Sequence, residues 1–423
     1  MIFLHIDIDC FFVSAHRSVD NTLKDKAVAV GSRSNLDIFE RKRNHTKLIN
    51  KNSGAFVTPV FHSVRDNDFR SRFVDNINGK DKIRGIVVTS SYEAREFGVK
   101  TAMSLEESLR IYPKLIIVPS NYPLYHELSY NINEYLKTKI PKVEQFSIDE
   151  WFGDVSNYIE ENEIRDFASH LQYEIIQKFD IPVSIGISRA KWIAKLATED
   201  AKPLGIYKVN NIENYIQNIP IKEFPGLGSG YQNRLQGRGI NTLGDIKDHK
   251  TLFYSWGKPG ISLYNRIHGT DNEAIQIQTP KKSIGLSRTF DPVFDDNEIK
   301  RRVLIMARNI SYMTKQLDVN PTTYFLKINY QYKYKTKQSI NVNRIFSEQL
   351  FKDEIIRLYD TIHTKDYGVI KLTLSVSNFI EQTKQTFSLL DLQNDHKKKS
   401  LSDSMQKLRN KFGLDIIKNA NEL

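Results

Sequence analysis

The stretch Phe146-Ser147-Ile148-Asp149-Glu150-Trp151-Phe152-Gly153-Asp154 is a short apolar run that is interrupted by two adjacent carboxylates. Asp and Glu are depleted from β-strands and are almost never fully buried unless they are paired or bound to a metal. Neighbouring residues on a strand point to opposite faces, but at a strand end or in a tight turn both carboxylates can converge on one cation. Taken alone, the stretch is better explained as a turn between two strands with solvated acids than as a metal site.

The N-terminus makes the metal site the better interpretation. Residues 1–12, MIFLHIDIDCFF, have the pattern of a second apolar strand that carries acids. If the two strands pair, Asp7, Asp149 and Glu150 come together. Clusters of carboxylates suit Mg²⁺, and two such ions can clamp the attacking and leaving oxygens of phosphoryl transfer. Asp9 should follow Asp7 on the same face without reaching the metals.

Length and composition narrow the class of protein. A chain of 423 residues exceeds what one hydrophobic core usually supports, so we expect two to four domains. The single cysteine, Cys10, excludes an intramolecular disulfide framework and a Cys-based zinc site, and it fits a reducing compartment. The sequence shows neither a basic segment followed by a cleavage site nor an apolar run of about 18 residues. We therefore expect a soluble, cytoplasmic protein with no membrane partner.

The net charge of +11 is unevenly distributed along the chain. Residues 281–390 contain 18 Lys and Arg against 11 Asp and Glu, whereas residues 1–280 contain 36 against 34. A basic segment beside an acidic metal site favours a phosphate-backbone partner, because lysine and arginine contacts release condensed counterions. Ordinary solubility charge is the alternative explanation.

The first 210 residues alternate between predicted strands and helices. The acid-bearing strands are amphipathic rather than continuously apolar, which favours an open sheet with helices on one face over a doubly wound sheet. Residues 35–84 interrupt this order with a basic cluster at 40–43 and an apolar patch at 56–61. We interpret them as an insertion with some helix. That this insertion contacts DNA or a partner is a hypothesis.

Two later segments have patterns that suit nucleic acid. The glycines of 224–230, FPGLGSG, followed by a helix at 231–236, predict a helix-hairpin-helix whose backbone N–H groups face a phosphate, although a plain glycine-rich connector would look similar. Residues 283–384 predict a β-α-β-β-α-β unit with helices at 295–317 and 347–363. Apolar and polar residues alternate over 324–335 and predict one strand with a basic open face, which we expect to contact DNA, although a merely solvated face would show the same alternation.

Six motifs in this order resemble those of the Y-family translesion DNA polymerases, of the DNA polymerase IV and V type, and the resemblance covers nearly the whole chain. They are Asp7-Ile8-Asp9 with Phe11-Phe12, Tyr92-Glu93-Ala94-Arg95 with Phe97-Gly98-Val99, Ser147-Ile148-Asp149-Glu150, Gly186-Ile187-Ser188 with Ala194-Lys195-Leu196-Ala197, Ala201-Lys202-Pro203 with Gly205, and Pro225-Gly226-Leu227-Gly228. Three positions, Cys10, Trp151 and Gly153, depart from the residues that the family usually has.

The resemblance implies an α+β multidomain fold, a right-hand polymerase with a ferredoxin-like palm, small fingers, a helical thumb and a β-α-β-β-α-β little finger. The implied domains are a palm at 1–10 and 119–209, fingers at 11–118 with the insertion at about 35–84, a thumb at 210–271, a linker at 272–282, a little finger at 283–384 and a tail at 385–423.

The resemblance also implies the roles of individual residues. The catalytic and metal-binding residues would be Asp7, Asp149 and Glu150, with the Ile8 carbonyl as a further ligand of two Mg²⁺ ions, for which Mn²⁺ could substitute. The remaining roles are nucleotide binding by Phe11, Phe12, Tyr92, Arg95 and Lys202, a steric gate against ribose at Phe12, DNA binding by Gly226, Gly228, Lys327, Lys333 and Lys335, and clamp binding by Leu389 and Leu390.

The implied activity is template-directed, low-fidelity DNA synthesis in translesion synthesis and DNA repair. The implied partners are primer-template DNA, deoxynucleoside triphosphates (dNTPs), a sliding clamp and possible accessory subunits. Two alternatives stay open. One is a catalytically silent DNA-damage accessory protein, which the presence of all three acids argues against. The other is a two-metal phosphotransferase such as a nucleotidyl cyclase, which has no use for a helix-hairpin-helix and a basic sheet.

Overall fold

The structure is a computed structural model that describes residues 1–34, 36–39, 47–49, 60–62, 69–77, 79–277, 281–364, 366–380 and 389–423. It contains two compact units. Met1–Gly31 and Ile86–Thr279 form the first, and the described residues of 32–50, 58–85 and 280–423 form the second. Within these ranges no helix is both long and apolar enough to cross a membrane. The basic cluster at 40–43 and positions 56–59 of the apolar patch lie outside the described residues.

The helices and strands fall into three groups along the chain. The N-terminal elements are β1 (Phe3–Ile8), α1 (Phe11–Arg17), β2 (Val28–Ser32), β3 (Lys47–Ile49), β4 (Val60–His62), α2 (Phe69–Phe73), β5 (Val74–Ile77), β6 (Lys80–Ile83), β7 (Ile86–Ser90), α3 (Tyr92–Glu96), α4 (Leu105–Ile111) and β8 (Ile116–Pro119). The central elements are α5 (Tyr122–Lys139), β9 (Lys142–Gln145), β10 (Glu150–Asp154), α6 (Ile164–Phe179), β11 (Val183–Ser188), α7 (Lys191–Ala201), β12 (Ile206–Lys208), α8 (Ile212–Ile216), α9 (Ser229–Gln236), α10 (Lys250–Ser255) and α11 (Lys258–His268). The C-terminal elements are β13 (Ser283–Val293), α12 (Asp296–Gln316), β14 (Asn320–Tyr330), β15 (Lys335–Asn341), α13 (Glu348–Ile362), β16 (Val369–Ile380) and α14 (Leu389–Phe412).

A five-stranded sheet with the order β12-β11-β1-β10-β9 is the centre of the first unit. The strand β1 is antiparallel to both of its neighbours, and its register with β10 places Asp7 opposite Glu150. The predicted pairing of the two acid-bearing strands is therefore confirmed. Asp149 lies in the turn that joins β9 to β10.

The helices α5 and α6 cover one face of this sheet, and their apolar residues share a core with Leu4, Ile6 and Ile8. The expectation that all helices lie on that face is wrong for α7. The Thr198 hydroxyl of α7 is 2.8 Å from Nδ1 of His5, which points away from the face that Ile6 occupies. A Cβ on Gly186 would lie 2.0 Å from a backbone oxygen of α7, so the glycine in β11 lets this helix approach the sheet.

Trp151 belongs to the core and not to the acidic site. It is fully buried, lies opposite Ile6 in the strand register, and donates a hydrogen bond from Nε1 to Asn133 Oδ1 (3.2 Å) on α5. Since neighbouring residues of a strand face opposite sides, Trp151 points away from the side chain of Glu150. Trp151, which departs from the residues that the family usually has at this position, therefore fills the space between the sheet and the helices α5 and α6.

Smaller groups of elements flank the central sheet within the first unit. The strands β7, β2 and β8 form a three-stranded sheet in which β2 and β8 are parallel. The helices α8 to α11 form an apolar cluster with Trp192 and Ile193 of α7. The helix predicted at 231–236 is confirmed by α9, and Gly228 is its N-cap.

In the second unit the predicted β-α-β-β-α-β order is confirmed by the elements from β13 to β16. The sheet order is β13-β16-β14-β15, and α12 and α13 pack on one face. The predicted strand over 324–335 is wrong in its second half, because β14 ends at Tyr330 and the chain turns back. Tyr332 and Lys333 both have left-handed φ angles, 58° and 63°. No glycine or asparagine marks this turn, so the alternation of residue types continues through the reversal.

The described part of the insertion packs in the second unit. Arg301 of α12 donates a hydrogen bond to the Phe39 carbonyl (2.8 Å), and the Arg302 guanidinium lies over the rings of Phe39 and Phe290. Arg84 forms an ion pair with Asp291 (3.0 Å) of β13. Phe39, near the start of the insertion, and Arg84, at its end, thus both contact elements of the C-terminal part of the chain, α12 and β13.

The residue pattern of the tail predicts a helix only over 402–412, but α14 already begins at Leu389. Its buried residues are polar: Asp395, Ser402 and Arg409 face the rest of the unit. Asp395 pairs with Arg344 (2.6 Å) and Arg409 with Glu348. A helix whose inner face is polar and charged has no apolar stripe by which it could be recognised. For this reason the sequence pattern indicates only the C-terminal half of α14.

The last residues close a buried ion network on α12 and α13. Glu422 is almost fully buried and contacts Arg308 (2.7 Å) and Lys352 (2.5 Å). Both of these cations are also buried, and Lys352 pairs in addition with Glu348 (2.6 Å).

We expect Glu422→Ala to lower the free energy of unfolding of the second unit by about 3–5 kcal/mol, because two buried cations lose a counter-charge. Hydrogen exchange of α12 and α13 in increasing urea measures this loss. The three tryptophans, Trp151, Trp192 and Trp256, all lie in the first unit and report its unfolding separately. Asp353→Ala, which breaks the more exposed pair with Lys398 (3.2 Å), should cost less than about 1 kcal/mol. Equal losses in both variants would contradict the prediction.

Candidate active site

The carboxylates predicted to bind metal lie at one end of the β1–β10 pair. Asp7 and Glu150 are opposite each other in the register, and the backbone N–H of Ile8 donates to the Asp149 carbonyl (3.0 Å). The Ser147 hydroxyl donates to the Asp149 carboxylate, which fixes the turn before β10. The structure thus brings together the segments that contain all four predicted ligands.

Burial makes negative charge costly at this site. It raises the pKa of Asp7 to about 8, and repulsion from Glu150 and Asp149 adds to the rise, while the ammonium of Lys202 opposes it. Burial also raises the pKa of Asp149, against the hydrogen bond from Ser147. Carboxyl groups with raised pKa values that face one another favour the arrival of a compensating positive charge.

Two lysines provide positive charge at the site. Lys202 Nζ lies 3.1 Å from Asp7 Oδ1, and Lys195 Nζ lies 2.5 Å from Glu150 Oε1. Among the residues that the structure describes, no three acidic, histidine or cysteine side chains are gathered as a ready metal site. Asp7 and Glu150 are instead turned toward the lysines, and Asp149 is turned toward Ser147. Their oxygen-only chemistry suits Mg²⁺ or Mn²⁺, so the donor set fits a divalent ion.

Lys195 is a site residue that the sequence analysis does not single out. It lies on α7, the helix that occupies the unexpected face of the sheet, together with Lys191 and Thr198 at helical spacing. The helical spacing of these polar residues among the buried apolar residues of α7 is the signal that could have identified them. Without knowledge of which face α7 covers, the signal does not point to Glu150.

The predicted nucleotide-binding residues lie around the same end of the sheet. The Tyr92 hydroxyl donates to Asp9 Oδ1 (3.2 Å), and the Arg95 guanidinium lies over the Tyr92 ring, 4.9 Å from its centroid. Burial and the neighbouring Asp9 carboxylate raise the pKa of Tyr92, so its hydroxyl keeps its proton. Lys202 also belongs to this set, and its ammonium lies next to Asp7.

The two phenylalanines of the N-terminal motif have different surroundings. Phe11 is buried in the core of the first unit, which leaves only its backbone for contact with a nucleotide. Phe12 is half-buried, and its ring stacks on Tyr125 with centroids 4.1 Å apart. The Tyr122 ring meets Phe12 edge-on, at 6.2 Å. The position of the Phe12 ring is therefore fixed by packing from two sides.

The predicted DNA-binding residues lie in both units. In the first, Gly226 has a left-handed φ of 97°, and Gly228 precedes the first turn of α9. In the second, Lys327 lies opposite Lys337 in the β14–β15 register, on the sheet face away from α12 and α13. Lys335 begins β15 on that same face, whereas Lys333 lies in the turn. Lys337 is a further basic residue that the sequence analysis leaves out.

Like charges placed directly opposite each other destabilise a pair of strands. The side chains of Lys327, Lys335 and Lys337 form no ion pair with any residue in the described part of the chain. The open face of this sheet therefore keeps an unneutralised positive charge, which suits a polyanion.

The predicted clamp-binding segment is only partly described, since residues 381–388 lie outside the described ranges. Leu389 is the first residue of α14, and the Leu390 side chain is almost fully exposed, at 96%.

Models of known protein families match two parts of the chain. A model of the impB/mucB/samB family matches residues 6–199, and a model of that family's C-terminal domain matches residues 281–389. The chain belongs to the impB/mucB/samB family. The predicted resemblance to the Y-family polymerases is thereby confirmed. The first match spans the predicted metal ligands together with Tyr92 and Arg95, and it ends before Lys202.

Relatives within this family include proteins named DNA polymerase IV from Staphylococcus aureus strains JH9 and Mu50. Each is 29% identical over 322 residues, which cover 74% of this chain and 90% of the relative. Among solved structures, the chain is similar to a Y-family DNA polymerase chimera of Dbh and Dpo4 (TM-score 0.70) and to DinB from Sulfolobus solfataricus (TM-score 0.54). Both are 22% identical, with 90% of this chain and 99% of the other covered. These likenesses confirm the predicted α+β polymerase fold.

Proposed function

We propose that this chain is a template-directed DNA polymerase of low fidelity that adds dNTPs to a primer 3′-hydroxyl and acts in translesion synthesis and DNA repair. The observation that carries the proposal is that β1 and the start of β10 bring the segments of Asp7, Asp149 and Glu150 to one end of the sheet, where Tyr92, Arg95 and Lys202 also lie. The family to which the chain belongs and the named DNA polymerase IV relatives support it. The retained carboxylates argue against a catalytically silent accessory protein, and the basic sheet argues against a nucleotidyl cyclase.

Each group of residues has a separate task in the proposed reaction. Asp7, Asp149, Glu150 and the Ile8 carbonyl would hold divalent ions, with Mg²⁺ as the physiological choice. When bound, such ions neutralise phosphate charge and make the primer hydroxyl a better nucleophile. The task of the protein is mainly positioning and charge stabilisation.

The triphosphate would be held by side chains that differ in geometry. The Arg95 guanidinium is a planar, bidentate donor and the Lys202 ammonium is a compact charge. The Tyr92 hydroxyl, which donates to Asp9, would turn its single proton to a phosphate oxygen. Lys202 must exchange its contact with Asp7 for a phosphate oxygen when the nucleotide binds. A divalent ion held by Asp7 would replace the positive charge of Lys202, so neither group would be left unpaired.

The domain roles follow from the same proposal. The five-stranded sheet would be the palm, the three-stranded sheet the core of the fingers, α8 to α11 the thumb, and the β13–β16 sheet the little finger. We also propose that a sliding clamp contacts the start of α14, where Leu390 is exposed.

We expect Asp149→Ala and Glu150→Ala each to reduce primer extension by about 100-fold or more, because a group that stabilises transition-state charge is lost. Extension of a labelled primer on undamaged and damaged templates measures the activity, and fluorescence anisotropy measures primer-template binding, which should stay within about twofold of the wild type. Asp154→Ala, at the other end of β10, is the matched control and should extend normally. Near-normal extension by either active-site variant would refute the assignment.

Phe12→Ala should admit ribonucleotides, because the fixed ring would no longer fill the space that a ribose 2′-hydroxyl requires. We expect the dNTP to rNTP ratio of kcat/KM to fall by at least about tenfold. Phe97→Ala, which removes an exposed ring that stacks on Tyr112, should leave the ratio unchanged. An unchanged ratio in Phe12→Ala would show that another residue is the gate.

Lys327→Ala and Lys337→Ala should weaken binding to primer-template DNA uniformly across sequences. Each should reduce the slope of log affinity against log salt concentration by about 1 if the lysine contacts a phosphate. Titrations at several salt concentrations give the slope. Lys398→Ala, whose lysine pairs with Asp353 on α13, is the control and should keep the wild-type slope.

A further inference from the structure

Asp9 is a buried carboxylate that the proposed chemistry leaves without a task. It follows β1, two residues after Asp7, and only 2% of its surface is exposed. Its backbone is fixed on both sides, because its N–H donates to the Pro182 carbonyl (3.0 Å) and its own carbonyl accepts from the Ser14 hydroxyl (2.5 Å). The side chain therefore projects from a rigid point.

Three separate parts of the first unit donate hydrogen bonds to the Asp9 carboxylate. The Ser184 hydroxyl of β11 lies 2.9 Å from Oδ1 and 3.0 Å from Oδ2. The backbone N–H of Leu204, after α7, donates to Oδ2 (2.7 Å). The Tyr92 hydroxyl, at the start of α3, donates to Oδ1 (3.2 Å). Both oxygens thus accept from protein donors, which is the role of a structural acceptor and not that of a cation ligand.

Two of these donors belong to the proposed triphosphate site. Tyr92 is one of its ligands, and Leu204 is two residues beyond Lys202, another ligand. Leu204 has a left-handed φ of 51°, which a residue with a branched side chain rarely adopts. The hydrogen bond to Asp9 holds the N–H of this residue and so fixes the turn that begins at Lys202. Ser184 is the third donor and ties the carboxylate to the sheet.

We propose that Asp9 is a positioning residue: it holds the Tyr92 side chain in place until the hydroxyl turns its proton to the incoming triphosphate, and it fixes the turn that begins at Lys202. The proposal rests on the proposed function, because it requires Tyr92 and Lys202 to bind that triphosphate. Loss of the Asp9 carboxylate removes a hydrogen bond that holds Tyr92 and another that holds the turn after Lys202. It leaves the carboxylates of Asp7, Asp149 and Glu150 in place. Nucleotide binding should therefore suffer more than the chemical step.

Single-nucleotide insertion into a primed template tests this proposal with Asp9→Asn, Tyr92→Phe and the double variant. Asparagine keeps the shape of the side chain but offers one acceptor oxygen, so it cannot satisfy all three donors. For Asp9→Asn we expect the KM for the dNTP to rise about tenfold and kcat to change by less than about threefold. The double variant should have a KM close to that of Asp9→Asn alone, because both changes remove the same interaction.

Three results would overturn the proposal. A fall in kcat of about 100-fold at unchanged KM would place Asp9 among the groups that act on the reacting atoms. A lowered thermal midpoint with unchanged KM and kcat would leave it a purely structural role. Full additivity of the two changes would show that Asp9 does not act through Tyr92. If the wild-type chain itself extends no primer, the proposed function fails first, and this is read from the wild type alone.

Ser184→Ala decides the question if Asp9→Asn does not fold. Ser184 is fully buried, lies opposite Asp7 in the strand register, and donates its one side-chain hydrogen bond to the Asp9 carboxylate and not to Asp7. We expect its removal to raise the KM about threefold in the wild-type background and by less in the Tyr92→Phe background, where only the effect through the Lys202 turn remains. The same increase in both backgrounds, or none in either, contradicts the proposal.

Discussion

The pairing of Asp7 with Glu150 across β1 and β10 concentrates negative charge where burial makes it costly. Other parts of the first unit compensate for this cost. Lys195 and Lys202 supply the opposite charge from one helix and the turn that follows it. That helix must lie on the acidic face of the sheet, and Gly186 makes room for it. A residue without a side chain in a neighbouring strand thus determines whether the acids have cations within reach.

More of the chemistry of the site than of its architecture could be predicted from the sequence. Strand pairing and most helices follow from local periodicity, and the order of six short motifs points to the family. The position of α7 could not be predicted, because the small size of Gly186 has meaning only when the neighbouring helix is known. For the same reason the sequence pattern gives no indication that Lys195 contacts Glu150.

The errors in the second unit have a different cause. The alternation that predicts one strand over 324–335 continues through a hairpin in which Tyr332 and Lys333 take left-handed conformations. Residue types report which face a side chain occupies, but they do not report a reversal that no glycine marks. The start of α14 is missed because its buried face pairs charges with partners such as Arg344 and Glu348, which lie far away in the sequence.

Because the insertion packs onto α12 and β13, the second unit is built from two regions that are far apart in the sequence. Phe39 and Arg84 come from before β7, while Arg301, Arg302 and Asp291 come from beyond residue 280. A recombination event that replaced only the C-terminal third of the gene would leave the aromatic ring and the arginine without their counterparts. These two stretches of coding sequence are therefore expected to be inherited, exchanged and lost together.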